Sequence, residues 1–159
     1  MKKGSTLFLK IVLCLIGIIM LAGMIRFPQT EGRAANLDLV NIYADPFIIY
    51  IYIGSTPFFI GLYQAFKLLN LIDANKAFSQ SAINTLKNMK FASLSLIGFI
   101  ALALFFIRFA AHGDDDPAGP TALGIFVSFI FAVIATAAAV SQRLLQNAVD
   151  LKSENDLTV

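Results

Sequence analysis

One cysteine, one histidine and few charges mark this chain first: charged residues make up only 14% of its 159 positions. The lone thiol, Cys14, excludes an intramolecular disulfide and any multi-cysteine metal cluster. It lies inside an apolar run, where a small buried side chain is its ordinary role. A soluble domain carries about 25% charged residues. The deficit here, beside 58% hydrophobic residues, makes lipid the expected solvent. Net charge is only +2, which offers no basic surface for direct contact with nucleic acid. The length suits a single domain, too short for a membrane part joined to a separate soluble enzyme.

Catalytic patterns are missing as well. There is no G-x-S-x-G, phosphate loop, paired set of metal ligands or acid–base couple. No catalytic residue, cofactor or metal ligand is therefore expected, and the reading is non-enzymatic. No Asp, Glu or His falls near the middle of any long apolar run. Proton- and ion-coupled transporters need such groups or broken helices at mid-bilayer, so a small transporter is the weakest of the alternatives.

What is present is four apolar windows near the roughly 20 residues needed to cross a bilayer: Leu7–Ile25, Phe47–Phe66, Phe91–Phe109 and Thr121–Val140. The first follows "MKK" but is long for a signal-peptide core and has no A-x-A site at the proper distance. "LAGM" (Leu21 to Met24) resembles a lipobox with Met24 where the lipidated cysteine must stand. An uncleaved helix is expected. Basic residues then orient the spans. Lys2, Lys3, Lys10, Lys67, Lys76, Lys87, Lys90, Arg143 and Lys152 fall on the side of the termini and the 67–90 connection. Arg26, Arg33 and Arg108 fall on the other. The expectation is one integral membrane domain, residues 1–159: an all-α, four-helix transmembrane bundle with both termini cytoplasmic. Residues 67–90 form its cytoplasmic connection and 141–159 its cytoplasmic tail.

The stretch "AAHGDDDPAGP" (110–120) then becomes an outer hairpin. Pro117, Gly119 and Pro120 turn the chain, and Asp114, Asp115 and Asp116 need only water. Calcium takes six or more oxygens at matched spacing, and His112 alone would hold zinc weakly. A solvated turn is the simpler reading, with adventitious cation binding open. These carboxylates, with Glu31, Asp38 and Asp45, also motivate an alternative function: an envelope-protection or immunity factor acting through lipid or outer-face contacts.

Within the spans the signals are structural. In "IYIYIGSTPFFIGLYQAF", Pro57 removes a backbone donor and should kink the helix, with Ser55 or Thr56 helping to satisfy the freed carbonyls. Tyr52, Thr56, Phe59 and Tyr63 share a face, read as aromatic packing with hydroxyls bonded to neighbouring helices. Gly54 and Gly61 let a neighbour approach. Gly124, Ser128, Ala132, Ala135 and Ala139 form a stripe of small residues suited to packing in the bundle or between subunits. Lys10, one turn inside the first span, should snorkel to the interface.

The cytoplasmic segments carry the more specific pattern. "KLLNLIDANKAFSQSAINTLKNMK" should continue the second helix to about Asp73, break near Asn75 and restart at an N-cap, Ser79 or Ser81. Phe78, Ala82, Ile83, Leu86 and Met89 make an apolar stripe beside Lys87 and Lys90, expected to lie at the inner interface. "SQRLLQNAVDLKSENDLTV" continues helically and ends in a polar tail. "LLNLID" and "LLQNAVD" echo one another, which allows a duplication of a two-helix unit. Both segments read most simply as amphipathic cytoplasmic extensions, and more sharply as a docking surface for a cytosolic protein. Asp73, Asn75, Lys76, Phe78, Ser153, Glu154, Asn155 and Asp156 are the contact candidates.

"LYQAFKLLNLIDANKAFSQSAINTLKNMK", followed by "LLQNAVDLKSENDLTV", resembles the YoaS-like family of bacterial membrane proteins, a domain-of-unknown-function family mostly from Firmicutes. The resemblance covers essentially the whole chain, least closely in the outer loops. It implies a multi-pass, four-helix protein of the bacterial cell membrane with no established catalytic residues. Members are often encoded beside a small helix-turn-helix regulator, which implies a cytosolic regulator as partner.

Overall fold

A computed structural model describes residues 3–30, 39–110 and 118–157. Its elements are α1 (Lys3–Thr30), α2 (Leu39–Tyr43), α3 (Pro46–Asp73), α4 (Gln80–Ala110) and α5 (Ala118–Leu157). There is no strand among the described residues. Four helices are long and apolar enough to cross a membrane, over Gly4–Thr30, Pro46–Asp73, Gln80–Phe109 and Ala118–Glu154. Each contains one of the expected spans. Of the residues expected in outer loops, Glu31, Arg33, Asp38, His112 and Asp114–Asp116 lie outside the described residues.

Local chemistry explains the boundaries. Asp45 caps α3, its carboxylate accepting from Phe47 N at 2.8 Å and Ile48 N at 3.4 Å, and Pro46 follows in the first turn, where its missing N–H costs nothing. At the other end Lys76 N donates to Leu71 O and Asn75 N to Ile72 O, the two bonds of a Schellman closure. That closure needs a left-handed residue, and Asn75, at φ 56°, supplies it where glycine is usual. Ser79 caps α4: its Oγ and its carbonyl both accept from Ala82 N. The helix end, break and restart therefore fall where the sequence puts them.

Two expected features change. Residues 78–89 are not a separate interfacial segment, because α4 is one helix from Gln80 to Ala110. Neither Gly nor Pro interrupts residues 80–97, so the helix has no reason to stop. Its apolar stripe faces protein: Ala82, Ile83, Thr85 and Leu86 are all buried. The polar tail beginning at Lys152 is likewise helical through Leu157, with Gln146 bonded to Asp150 one turn on and the Ser153 hydroxyl donating to Asp150 O.

The helices alternate in direction. Lys10 meets Asp73, Gly17 faces Leu62, and Tyr52 reaches Met24, so α1 and α3 are antiparallel. Gly54 against Phe99 and Gly61 against Ala92 give the same relation for α3 and α4. Gly124 against Leu104 extends it to α5. One end of the bundle, called lower here, holds the start of α1, the 74–79 connection and the finish of α5. Helices of 31 and 40 residues measure about 46 and 60 Å, against a hydrocarbon core of about 30 Å. Both α4 and α5 must stand well clear of the hydrocarbon, and their surplus length is at the lower end.

Candidate functional site

The lower end unites the residues singled out in the two cytoplasmic motifs. Antiparallel α4 and α5 set Lys90 level with Arg143, which line one groove. Ten residues further out, Gln80 and Ser153 are each about 15 Å beyond that level. Connection 74–79 and the last turns of α5 thus share a height. Within this stub the candidates differ in character. Phe78 stands 72% exposed, and Leu144 and Leu151, a heptad apart on α5, are 64% and 67% exposed. Lys76, Ser153 and Glu154 are exposed at the same end, and Asn155 and Asp156 lie in the last turns of α5.

Asp73 and Asn75 have structural duties. The Asp73 carboxylate accepts from the Thr6 hydroxyl and from the Lys10 ammonium, each at 2.5 Å. Lys10 also sits 5.7 Å from the centre of the Phe66 ring, so it pairs with protein rather than simply reaching for the interface. Thr6 is 1% exposed, and its hydroxyl could not be left unbonded without loss. This latch was not foreseen. Its only signal is the spacing of Thr6 and Lys10, one turn apart on a face that meets the far end of a distant helix. Asn75 fixes the Schellman turn described above. Of the remaining candidates, Lys76, Phe78, Ser153 and Glu154 are exposed.

Of the packing residues, Gly54, Gly61 and Gly124 all face a neighbour. A Cβ at Gly54 would lie 3.4 Å from the Phe99 ring, at Gly61 3.8 Å from Ala92, and at Gly124 2.7 Å from a Leu104 methyl. Ala135 is buried, while Ser128, Ala132 and Ala139 are half-buried. Ala138, outside the foreseen stripe, is also buried. Among the described residues, the buried positions of α5 are therefore Gly124, Ala135 and Ala138, with the rest of the foreseen stripe beside them. Pro57 is half-buried and α3 continues through it. The carbonyl it deprives of a donor is that of Ile53, four residues back. Ser55 instead donates to Tyr52 O at 2.7 Å, with Thr56 at 3.5 Å from the same atom.

Three tyrosines at the upper end donate to backbone carbonyls. Tyr50 reaches Phe99 O at 2.6 Å, Tyr52 reaches Met24 O at 2.9 Å, and Tyr43, from α2, reaches Ile25 O at 3.0 Å. Met24 is the residue whose carbonyl loses its partner to Pro28. The Tyr52 hydroxyl therefore meets a need created on another helix. Tyr43 and Tyr52 stack with ring centres 6.4 Å apart. Of the aromatic face foreseen on α3, Tyr52 bonds as expected, whereas Tyr63 is exposed. No group of three or more His, Cys, Asp or Glu side chains able to hold a metal occurs among the described residues.

Four long apolar helices with alternating direction, joined by short connections, define a multi-pass integral membrane protein of the helical-bundle class. Residues 28–159 match the family described as "Protein of unknown function (DUF2975)", and the chain belongs to that family. It is 44% identical over 161 residues, covering the whole of both chains, to a Bacillus subtilis (strain 168) protein described as "Uncharacterized membrane protein YoaS". No solved structure matches it.

Proposed function

We propose that this is a non-enzymatic interaction protein of the bacterial cell membrane, with both termini cytoplasmic and its lower end docking a cytosolic protein, such as a helix-turn-helix regulator. The observation that carries the reading is the stub beyond the membrane with Phe78 and Leu151 exposed on it. On the lipid-facing length of a helix such side chains need no explanation. In water, apolar groups rimmed by Lys76, Lys152, Ser153 and Glu154 have the composition of a protein-binding patch. The orientation follows from the bias of basic residues toward this end.

A photo-crosslinking residue placed at Phe78 or Leu151 tests it in intact membranes. A discrete adduct with a soluble protein is expected at both positions, with none at Phe106, exposed on the same bundle near its upper end. Phe78→Ser should remove the Leu151 adduct while leaving membrane insertion intact. Adducts with lipid alone, or with further copies of the chain alone, would sink the reading.

A further inference from the structure

Beside the seam of α4 and α5 runs a groove of about 420 Å³ that neither helix fills. On α4 its wall is Lys90, Leu94 and Ile97, at spacings of four and three; on α5 its floor includes Ala135 and Ala139, with Arg143 four residues further on. The alanines are too short to occupy the space opposite Leu94 and Ile97. In a bilayer a trough of this kind takes hydrocarbon, because apolar walls left bare forfeit their dispersion contacts.

The charges at its lower mouth give the groove a polarity. Residues 80–97 and 132–149 contain no Asp or Glu. Among the described residues the ion pair is Lys10 with Asp73, and neither Lys90 nor Arg143 has a carboxylate partner. Lys90 lies half-buried with its ammonium 5.0 Å from the centre of the Phe91 ring. From Phe109 to Lys90 and from Thr121 to Arg143 the helices rise about 28 and 33 Å, close to the hydrocarbon thickness of about 30 Å. Both cations therefore sit where the lipid phosphates of the lower leaflet lie. A basic residue on a plain lipid-facing helix only snorkels. Here two, from two helices, converge on one apolar trough, as in basic headgroup pockets between transmembrane helices.

We propose that this groove binds one anionic phospholipid, its phosphate between Lys90 and Arg143 and an acyl chain along the alanine floor. The site is independent of the docking reading above. Native mass spectrometry of the full chain, released from micelles with matched-chain phosphatidylglycerol and phosphatidylcholine, measures it. One phosphatidylglycerol should be retained in preference. Lys90→Gln with Arg143→Gln should cut that preference on the order of tenfold, whereas Lys67→Gln with Lys152→Gln, an equal loss of charge at the same end, should leave it. Ala139→Leu fills the groove without touching charge and should also lower retention. Helical circular dichroism and elution volume establish that each variant is folded. No preference in the parent, equal loss in both charge pairs, retention unaffected by Ala139→Leu, or displacement by inorganic phosphate would overturn the proposal.

Discussion

α1 and the α4–α5 pair are both apolar along most of their length, yet they are attached to the protein in opposite ways. Among the described side chains of α1, Thr6 and Pro28 alone are buried, one near each end. Between them stand Ile11, Leu15, Ile18, Ile19 and Leu21, all exposed, and one close approach where Gly17 meets Leu62. The pair is joined along a seam, with Ala135 and Ala138 buried and Gly124 against Leu104. Hydrophobicity therefore places a helix in the bilayer but not against its neighbour. Lipid chains solvate leucine as well as another helix does, so small residues and polar contacts decide which surfaces touch. α1 is pinned at two points, and the pair is zipped.

The largest effect should follow from forcing the zip. Ala138→Leu adds three carbons at a buried position of the pair that does not line the groove, and overpacking of this kind costs about 1–3 kcal/mol. The midpoint of thermal unfolding in micelles, followed by helical circular dichroism, should fall clearly. Ile19→Ala, on the exposed face of α1, should leave it in place. A comparable loss from Ile19→Ala would mean that this face is packed against something, a second copy for instance, and the contrast would fail.

Cutting one pin should have a smaller and local effect. Asp73→Ala removes the acceptor of Thr6 and the partner of Lys10. A buried hydroxyl deprived of its bond costs about 1–3 kcal/mol, and the partly exposed ion pair adds little. Hydrogen exchange should rise over residues 3–13 with the α4 amides unchanged. Asp73→Asn, which keeps an acceptor for Thr6, should do less. Loss of protection in α4 as well would show the latch to be part of the common core.

The same contrast explains what the sequence reveals. Span number and position are legible because every helix must supply a long apolar run whatever it packs against. Helix ends at Asp73 and Ser79 are legible because caps are local chemistry: an Asn able to adopt a left-handed turn, and a serine oxygen facing free amides. The length of α4 is misread because the stripe Ala82, Ile83, Leu86 suits either a membrane surface or a helical neighbour, and only its burial in the folded bundle decides between them. The Thr6–Asp73 and Met24–Tyr52 contacts join residues far apart in the chain, so no window of sequence contains them. In the candidate site Phe78 and the end of α5 can be singled out from composition alone. Leu144 and Leu151 look like one stripe of an amphipathic helix, and the structure leaves both exposed within the chain.

The upper pin can be dissected by removing a need together with its remedy. Tyr52→Phe leaves Met24 O, already deprived by Pro28, without its hydroxyl donor. A loss of about 1 kcal/mol is expected, near the average for polar contacts between membrane helices. Pro28→Ala restores an N–H that can bond Met24 O within α1. In that background Tyr52→Phe should cost almost nothing, so a double-mutant cycle on unfolding free energy should show coupling of roughly the whole first effect. Additive losses would mean that the Tyr52 hydroxyl contributes in some way other than supplying the donor that Pro28 denies Met24 O.

The smallest expected effect separates two glycines that look alike in sequence. A methyl at Gly61 would meet Ala92 at 3.8 Å, ordinary contact. Alanine in a helix interior gains up to about 1 kcal/mol over glycine in water, so Gly61→Ala should raise the unfolding midpoint slightly. A methyl at Gly124 would lie 2.7 Å from the end of the Leu104 side chain. Leu104 can rotate, but leaving its rotamer costs about 0.5–1.5 kcal/mol, which cancels the same gain, and Gly124→Ala should change little. Shortening the neighbour removes the clash, so Gly124→Ala measured in a Leu104→Ala background should stabilise as Gly61→Ala does. If Gly124→Ala gives the same small gain with Leu104 intact, the zip has slack at its upper end, and the closest approach of α4 and α5 must lie lower, at Ala135 and Ala138.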